Sequence, residues 1–169
     1  MAKEPGLEAV SGDAEAAQPQ DAPRSGPPPQ YWLRVHGYPS DLTNEVVSSD
    51  DFADLMAGAL RGDPSDLLKV GDVIIYYADG PSSLYGLATI VDAVHGVYDN
   101  ERHRQTWTVP TKRDAIIKAI NKAPHAVGLE PPSGRHFLSL VRSYTYIRLP
   151  EKDGEYLVGQ VKSRAGSKD

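Results

Sequence analysis

The sequence contains no cysteine. That excludes disulfide bridges and thiolate metal ligands and is compatible with a cytoplasmic setting. No apolar run approaches the ~20 residues that a membrane-spanning helix needs, so no membrane partner is expected. A phosphate-cradling P-loop, a dinucleotide glycine fingerprint, a His-Glu-x-x-His pair and a Gly-x-Ser-x-Gly elbow are all missing. The five histidines are scattered, with no two at helix-face spacing, so neither a histidine metal site nor a cofactor is expected. Residues 1–29 lack any aromatic side chain and are rich in proline and alanine. They also lack the apolar core of a signal peptide, and they hold too little apolar surface to offset the entropy of ordering, so this stretch is expected to be a disordered tail.

What remains is one domain, expected over 30–162, with 163–169 frayed. The net charge of −5 is unevenly spread. Between Asp41 and Asp66 seven acidic residues face only Arg61, whereas between Glu101 and Arg148 nine Lys and Arg face three acids. The second stretch is a candidate polyanion face, although solvated surface charge accounts for it equally well.

The most organised stretch is Lys69–Val91. Val73–Tyr77 is a continuous apolar and aromatic run that suits a strand buried on both faces. Asp79-Gly80-Pro81-Ser82-Ser83 is a turn, and Leu84–Val91 returns as a strand. Gly86 inside it marks a bulge or a close approach to the backbone. Tyr31–His36 and Arg104–Val109 also read as strands, as does Tyr144–Leu149. Residues 136–141 read as a short helix. Phe52, Leu55, Met56, Ala59 and Leu60 follow helical periodicity after a Ser48-x-x-Asp51 capping pattern, and this predicts a helix. A second helix is predicted after Thr111-x-x-Asp114, with Ala115, Ile116, Ala119, Ile120 and Ala123 as its apolar side. His95–Asn100 reads as a loop, and Glu151-Lys152-Asp153-Gly154 as a hairpin connection to a strand over Tyr156–Val161.

The chemistry on offer is aromatic. The chain has nine tyrosines and two tryptophans, most of them in predicted strands beside turns. Such rings can stack a nucleobase, worth roughly 1–3 kcal/mol per base. Asp79, Ser83 and Ser143 can hydrogen-bond a base edge, and Arg142 can meet a phosphate. Taken singly, Trp32, Tyr76, Tyr85 and Tyr146 are better read as core residues with their polar atoms satisfied. For Tyr77, Trp107 and His36 the core and the functional readings balance. Asp72, Asp79, Asp99 and Glu101 are candidate acid/base carboxylates, although solvated turn carboxylates are far commoner.

Four segments in order resemble the EVE domain family of the PUA-like superfamily, which includes the YTH and ASCH domains. They are Tyr31-Trp32-Leu33, Val70–Tyr77, Tyr85–Val91 and Leu140–Arg148. The resemblance covers about Tyr31 to Leu149. It implies an α+β fold, a mostly antiparallel β pseudo-barrel flanked by short helices. It also implies a non-catalytic module that binds DNA or RNA through a modified or flipped base held in an aromatic pocket. Carried over by position, that pocket would use His36, Tyr38, Tyr77, Asp79, Ser82, Ser83, Trp107, Arg142 and Ser143. The sequence departs from the family pattern at Asn44–Ser49, where a tryptophan is usual. It departs again at Asp153-Gly154, where the family usually has a helix. Two other functions stay open: an ASCH-like enzyme acting on RNA or a nucleoside-like substrate, or a module for a small ligand or a protein.

Overall fold

Strand β1 (Tyr31–His36) runs parallel to β5 (Val73–Ala78) and antiparallel to β10 (Tyr146–Leu149), which places the opening strand in the middle of a sheet. The apolar run of β5 has a strand on each side and layers over both faces, and Ile74 to Ala78 are buried. The computed structural model describes residues 26–37, 42, 45–48 and 51–166. Its other strands are β2 (Glu45–Val47), β3 (Phe52–Asp54), β4 (Gly58–Ala59), β6 (Ser83–Ile90), β7 (His95–Asp99), β8 (Arg104–Val109) and β9 (Thr111–Ile116). Its α-helices are α1 (Pro64–Leu67), α2 (Leu138–Val141) and α3 (Glu151–Ala165).

The architecture is α+β. A seven-stranded sheet has the order β4-β3-β10-β1-β5-β6-β9, and a three-stranded sheet has the order β2-β8-β7. Most pairings are antiparallel; β1 with β5 and β10 with β3 are the parallel ones. Strand alternation sends successive side chains to two separate cores. Trp32, Ile74, Tyr76, Ala78, Tyr85, Ala88 and Tyr146 pack with Val47, Trp107 and Val109 of the smaller sheet. Leu33, Val35, Ile75, Tyr77, Leu87 and Ile147 pack with Phe137 and Val141 near α2, and with Leu157 and Val161 of α3.

Four local expectations are overturned, each by a tertiary partner. Residues 52–60 form β3, a turn and β4 rather than a helix. The capping pattern does make its bonds, since Ser48 N and Oγ both donate to Asp51 Oδ2, at 3.1 and 2.8 Å. But Asp54 Oδ1 then accepts from the Met56 and Ala57 N–H groups, closing a turn that competes with helix, and β3 pairs with β10. Met56, which a helix would have buried, is exposed.

The helix expected after Thr111 is β9, followed by a single 3₁₀ turn at 120–122. Both residues of that capping pattern reach across the fold instead. Thr111 Oγ1 donates to Leu42 O at 3.0 Å, and Thr89 Oγ1 donates to the Asp114 carboxylate. The expected loop at 95–100 is β7, paired with β8.

The expected hairpin at 151–161 is α3. Glu151 and Asp153 sit in its first turn, and Lys162 and Arg164 in its last, matching the helix dipole. Gly154 is not a turn residue. A Cβ built there would lie 2.1 Å from Tyr31 Cγ, so the missing side chain is what lets α3 close on β1. The adjoining Asp153 carboxylate is buried and accepts from Ser133 N and Oγ. The short helix expected at 136–141 is present as α2.

Candidate functional site

One end of the large sheet gathers most of the residues singled out from the sequence. β1 and β5 are parallel, so His36 and the Asp79 turn leave the sheet together, with His36 opposite Ala78. Asp79 N donates to His36 O at 3.4 Å. β6 starts at the same end, and Ser83 bridges His125. Arg142 and Ser143 lie just ahead of Thr145, whose carbonyl accepts from Val35 N at 2.8 Å. His36, Asp79, Ser82, Ser83, Arg142 and Ser143 therefore cluster around one end through backbone pairing.

Their side chains differ in availability. Asp79, Arg142 and Ser143 are exposed, and His36 is half-buried with Nδ1 2.7 Å from Gly37 O. Ser82 takes a positive φ of 51°, and its Oγ donates to Asp79 O at 3.3 Å. Ser83 is buried, and its Oγ donates to Pro81 O at 3.0 Å. Those serine bonds define the turn itself. Tyr77 points to the helix-covered face, 2% exposed, with its ring edge-on to Phe137 at 6.3 Å. Trp107 belongs to the small sheet and is 9% exposed within the core that includes Tyr76, Tyr85 and Tyr146. Tyr38 lies outside the described residues.

The more informative cluster was not singled out as a site from sequence. On the face toward the small sheet, β-register aligns Phe52, Tyr146, Arg34, Tyr76 and Gly86 across five strands. The Arg34 guanidinium carbon lies 4.7 Å from the centre of the Tyr146 ring, within cation–π range. Arg34 Nη1 also donates to Val35 O at 3.2 Å. Tyr146 stacks on Phe52 at 5.1 Å, and Tyr76 tilts against Tyr85 at 6.0 Å. The next position on this face of β1, at the end of the strand, is His36, opposite the small Ala78. A half-buried guanidinium thus sits in an aromatic row, one pleat inside the end that carries His36, Asp79 and Arg142. The sequence did hold the signal: Arg34 lies two residues from Trp32, and a residue two from a core tryptophan on a strand shares its face.

Gly86 fulfils both readings made of it. Tyr76 pairs with Gly86 and Tyr77 with Leu84, so β6 bulges at Tyr85. A Cβ at Gly86 would also lie 2.5 Å from Leu42 Cδ1. The neighbour that needs the space is Leu42, from the segment after β1. Thr145 Oγ1, at the head of β10, is buried and has no hydrogen-bond partner among the described residues.

Two of the four candidate carboxylates, Asp72 and Asp99, have structural work. Asp72 is 3% exposed and accepts from Lys69 N, Gln30 N and Trp32 Nε1 at 2.9, 3.0 and 3.2 Å. Asp99 Oδ1 accepts from Glu101 N and Arg102 N, closing the β7–β8 turn. Asp63 caps α1 through Ser65 N, and the Ser65 hydroxyl and N–H, with the Trp107 indole, hold its carboxyl below the usual range. Asp54 is also lowered: burial pushes it up, but the Met56 N–H, the Arg148 guanidinium and the Ala57 N–H outweigh that. Among the described residues, no group of His, Asp and Glu is placed to hold a metal ion. Surface grooves of about 370 and 430 Å³ are lined by 26–30 with 69–72, and by Tyr31, Leu87, Asp114, Val158 and Lys162. Neither groove includes the Asp79 turn.

The class defined by this architecture is an α+β protein with a seven-stranded mixed sheet, covered by a small sheet on one face and by helices on the other. No family model matches the chain, and no curated protein matches it. Solved structures do match. Rpa0253 from Rhodopseudomonas palustris, determined by NMR, is 15% identical with a TM-score of 0.50, over 81% of this chain and 93% of its own. A hypothetical protein from Leishmania major is 11% identical with a TM-score of 0.49, over 80% of this chain and 96% of its own. Protein Atu2648 from Agrobacterium tumefaciens is 13% identical with a TM-score of 0.46, over 83% and 99%. At 15% identity the likeness to Rpa0253 is one of fold alone. No helix among the described residues is long and apolar enough to cross a membrane.

Proposed function

We propose that the protein is a non-catalytic nucleic-acid-binding module of the EVE, PUA-like kind, reading a modified or flipped base at the end of the large sheet. The observation that carries this reading is Arg34 held in the row Phe52–Tyr146–Arg34–Tyr76. A half-buried guanidinium held against the Tyr146 ring, with the rings themselves closed in the core, is fixed in orientation and offers directed donors to a base edge or a phosphate. His36 and the Asp79 turn supply polar groups at the mouth, and exposed Arg142 supplies a phosphate contact. The helix α3, where local sequence reads as a hairpin, also agrees with the EVE resemblance.

The test is fluorescence anisotropy with modified and unmodified oligonucleotides at physiological salt, against a scrambled polyanion. The expected outcome is preferential binding of at least one modified or unpaired oligonucleotide, with affinity falling steeply as salt rises. Arg142→Ala is expected to weaken all oligonucleotides alike and flatten the salt dependence. Arg34→Lys keeps the charge but loses the planar fork, so it is expected to reduce the preference by about tenfold. If no oligonucleotide outcompetes the polyanion, the proposal is wrong.

A further inference from the structure

The two sheets have four edges, and they are not equally protected. β4 is two residues long and β2 three, too short to template another strand. β9 carries Lys112, Arg113 and Asp114. Short length and charge are the usual defences of an exposed edge. β7 is weakly defended, its one charge being Asp99 at the end of the strand, already engaged by Arg102. It is five residues long, His-Gly-Val-Tyr-Asp, without lysine or proline. Among the described residues β8 is its one neighbour in the sheet, and His95 through Tyr98 are exposed, Val97 to 50% and Tyr98 to 53%.

We propose that β7 pairs antiparallel with β7 of a second copy of this chain, about a two-fold axis through Val97. The backbone phase permits it. Thr106 Oγ1 on β8 donates to Val97 O at 3.0 Å, so the Val97 carbonyl points toward β8. By strand alternation the N–H and C=O of Gly96 and Tyr98 then face the open edge.

The sequence is complementary to itself in this register. Val97 meets Val97 of the second copy at a non-hydrogen-bonded position, where side chains approach most closely. Gly96 faces Tyr98, and each such pair exchanges its backbone hydrogen bonds. Gly96 has no room for a side chain of its own, because a Cβ there would lie 2.6 Å from Gln105 Nε2 and 3.3 Å from Trp107 Nε1. A tyrosine ring from the opposite strand covers such a glycine, as aromatic residues do for glycines at sheet edges. His95 faces Asp99 at each rim. This last pair adds little, because Asp99 already holds Arg102 at 3.8 Å and both groups are wet. One five-residue strand pair falls short of the ~1,200 Å² of a stable interface, so the dimer is weak and concentration-dependent.

The test is sedimentation equilibrium of the full chain from about 10 to about 500 μM, the range suited to so small an interface. The wild type is expected to dimerise within that range. Val97→Lys and Val97→Glu each place like charges opposite one another on the two-fold axis, so each alone is expected to weaken the dimer by about tenfold. An equimolar mixture of the two is expected to restore it, because the pair then carries opposite charges. Tyr98→Pro removes an edge-facing N–H and is expected to abolish pairing while the β7–β8 hairpin persists. Thermal melting of each variant confirms the fold. A wild type that stays monomeric overturns the proposal. So does a Val97→Lys variant that dimerises like the wild type, or a mixture that fails to restore the dimer.

Discussion

Replacing Gly154 by alanine tests the packing that turned an apparent hairpin into a helix. On helix propensity alone the change is favourable by about 1 kcal/mol, because glycine is a poor residue in a helix interior. The tertiary structure reverses the sign. The new Cβ would lie 2.1 Å from Tyr31 Cγ, 2.3 Å from Tyr31 Cβ and 2.6 Å from Tyr31 Cδ2. Carbon atoms at rest sit about 3.5–4.0 Å apart, so roughly 1.5 Å of movement is needed. The Tyr31 atoms involved are at the root of the side chain, and β1 is held between β10 and β5 at Tyr31. The first turn of α3 must therefore lift. That turn is tied by Asp153 to Ser133, and Leu157 and Val161 follow it at 0% exposure. Overpacking of this kind costs about 1–3 kcal/mol and more where the backbone must move, which exceeds the propensity gain. With the backbone forced to move, the upper part of that range less the propensity gain leaves an expected net loss of about 1–2 kcal/mol, seen as a fall in Tm of roughly 4 °C per kcal/mol.

Urea and thermal denaturation of a double-mutant cycle separate the two terms. Tyr31→Ala is not a sufficient partner, because it keeps the Cβ that lies 2.3 Å away. Tyr31→Gly removes the obstacle. Gly154→Ala in that background is expected to be neutral or stabilising by up to about 1 kcal/mol, leaving a coupling of about 2 kcal/mol or more. A Gly154→Ala single variant as stable as the wild type would refute the reasoning.

Asp72→Ala strands the Trp32 indole in a buried setting and leaves the part-buried Lys69 and Gln30 N–H groups without their acceptor. A loss of about 2–3 kcal/mol in urea denaturation is expected, since an unpartnered buried donor costs about 1–3 kcal/mol and donors that water can reach cost less; a loss under about 1 kcal/mol would contradict it. Asp54→Asn removes the 2.8 Å pair with Arg148, whose side chain is 37% exposed, so solvent screening limits the expected loss at neutral pH to about 1 kcal/mol. The Asp54 carboxyl lies below its ordinary value in the fold, so its contribution is present above about pH 4 and fades as pH falls through the folded-state value. Wild type and Asp54→Asn should accordingly converge in stability on acidification, and a gap that widened instead would contradict the assigned cause.

The site was partly legible. His36, the Asp79–Ser83 turn and Arg142-Ser143 meet at one end because β1 and β5 are parallel and β10 returns beside β1. No local pattern reports strand order, so the convergence rested on the family resemblance. Tyr77 and Trp107 read as equally suited to core and site, because an aromatic residue on a strand satisfies both descriptions until the covering layer is known. Arg34 was overlooked because arginine in a strand ordinarily points to solvent, and only the small sheet over that face makes its position internal.

The sequence by itself determined the strands whose evidence is local: β1, β5, β6 and β8 follow from apolar content, alternation and the Asp79-Gly80-Pro81 turn. It also determined the absence of thiolate chemistry and of the common catalytic motifs, since these depend on residue types alone. Only the tertiary structure decided β3, β4, β9 and α3. Their local signals were correct hydrogen-bonding groups with more than one possible partner. Ser48 and Asp51, Thr111 and Asp114 each fit a helix cap worth about 1 kcal/mol. A strand edge or a buried backbone carbonyl elsewhere in the chain offered more. Gly154 states the same point in steric form: alone it reads as a turn, and against Tyr31 it is the one residue that lets a helix close on the sheet.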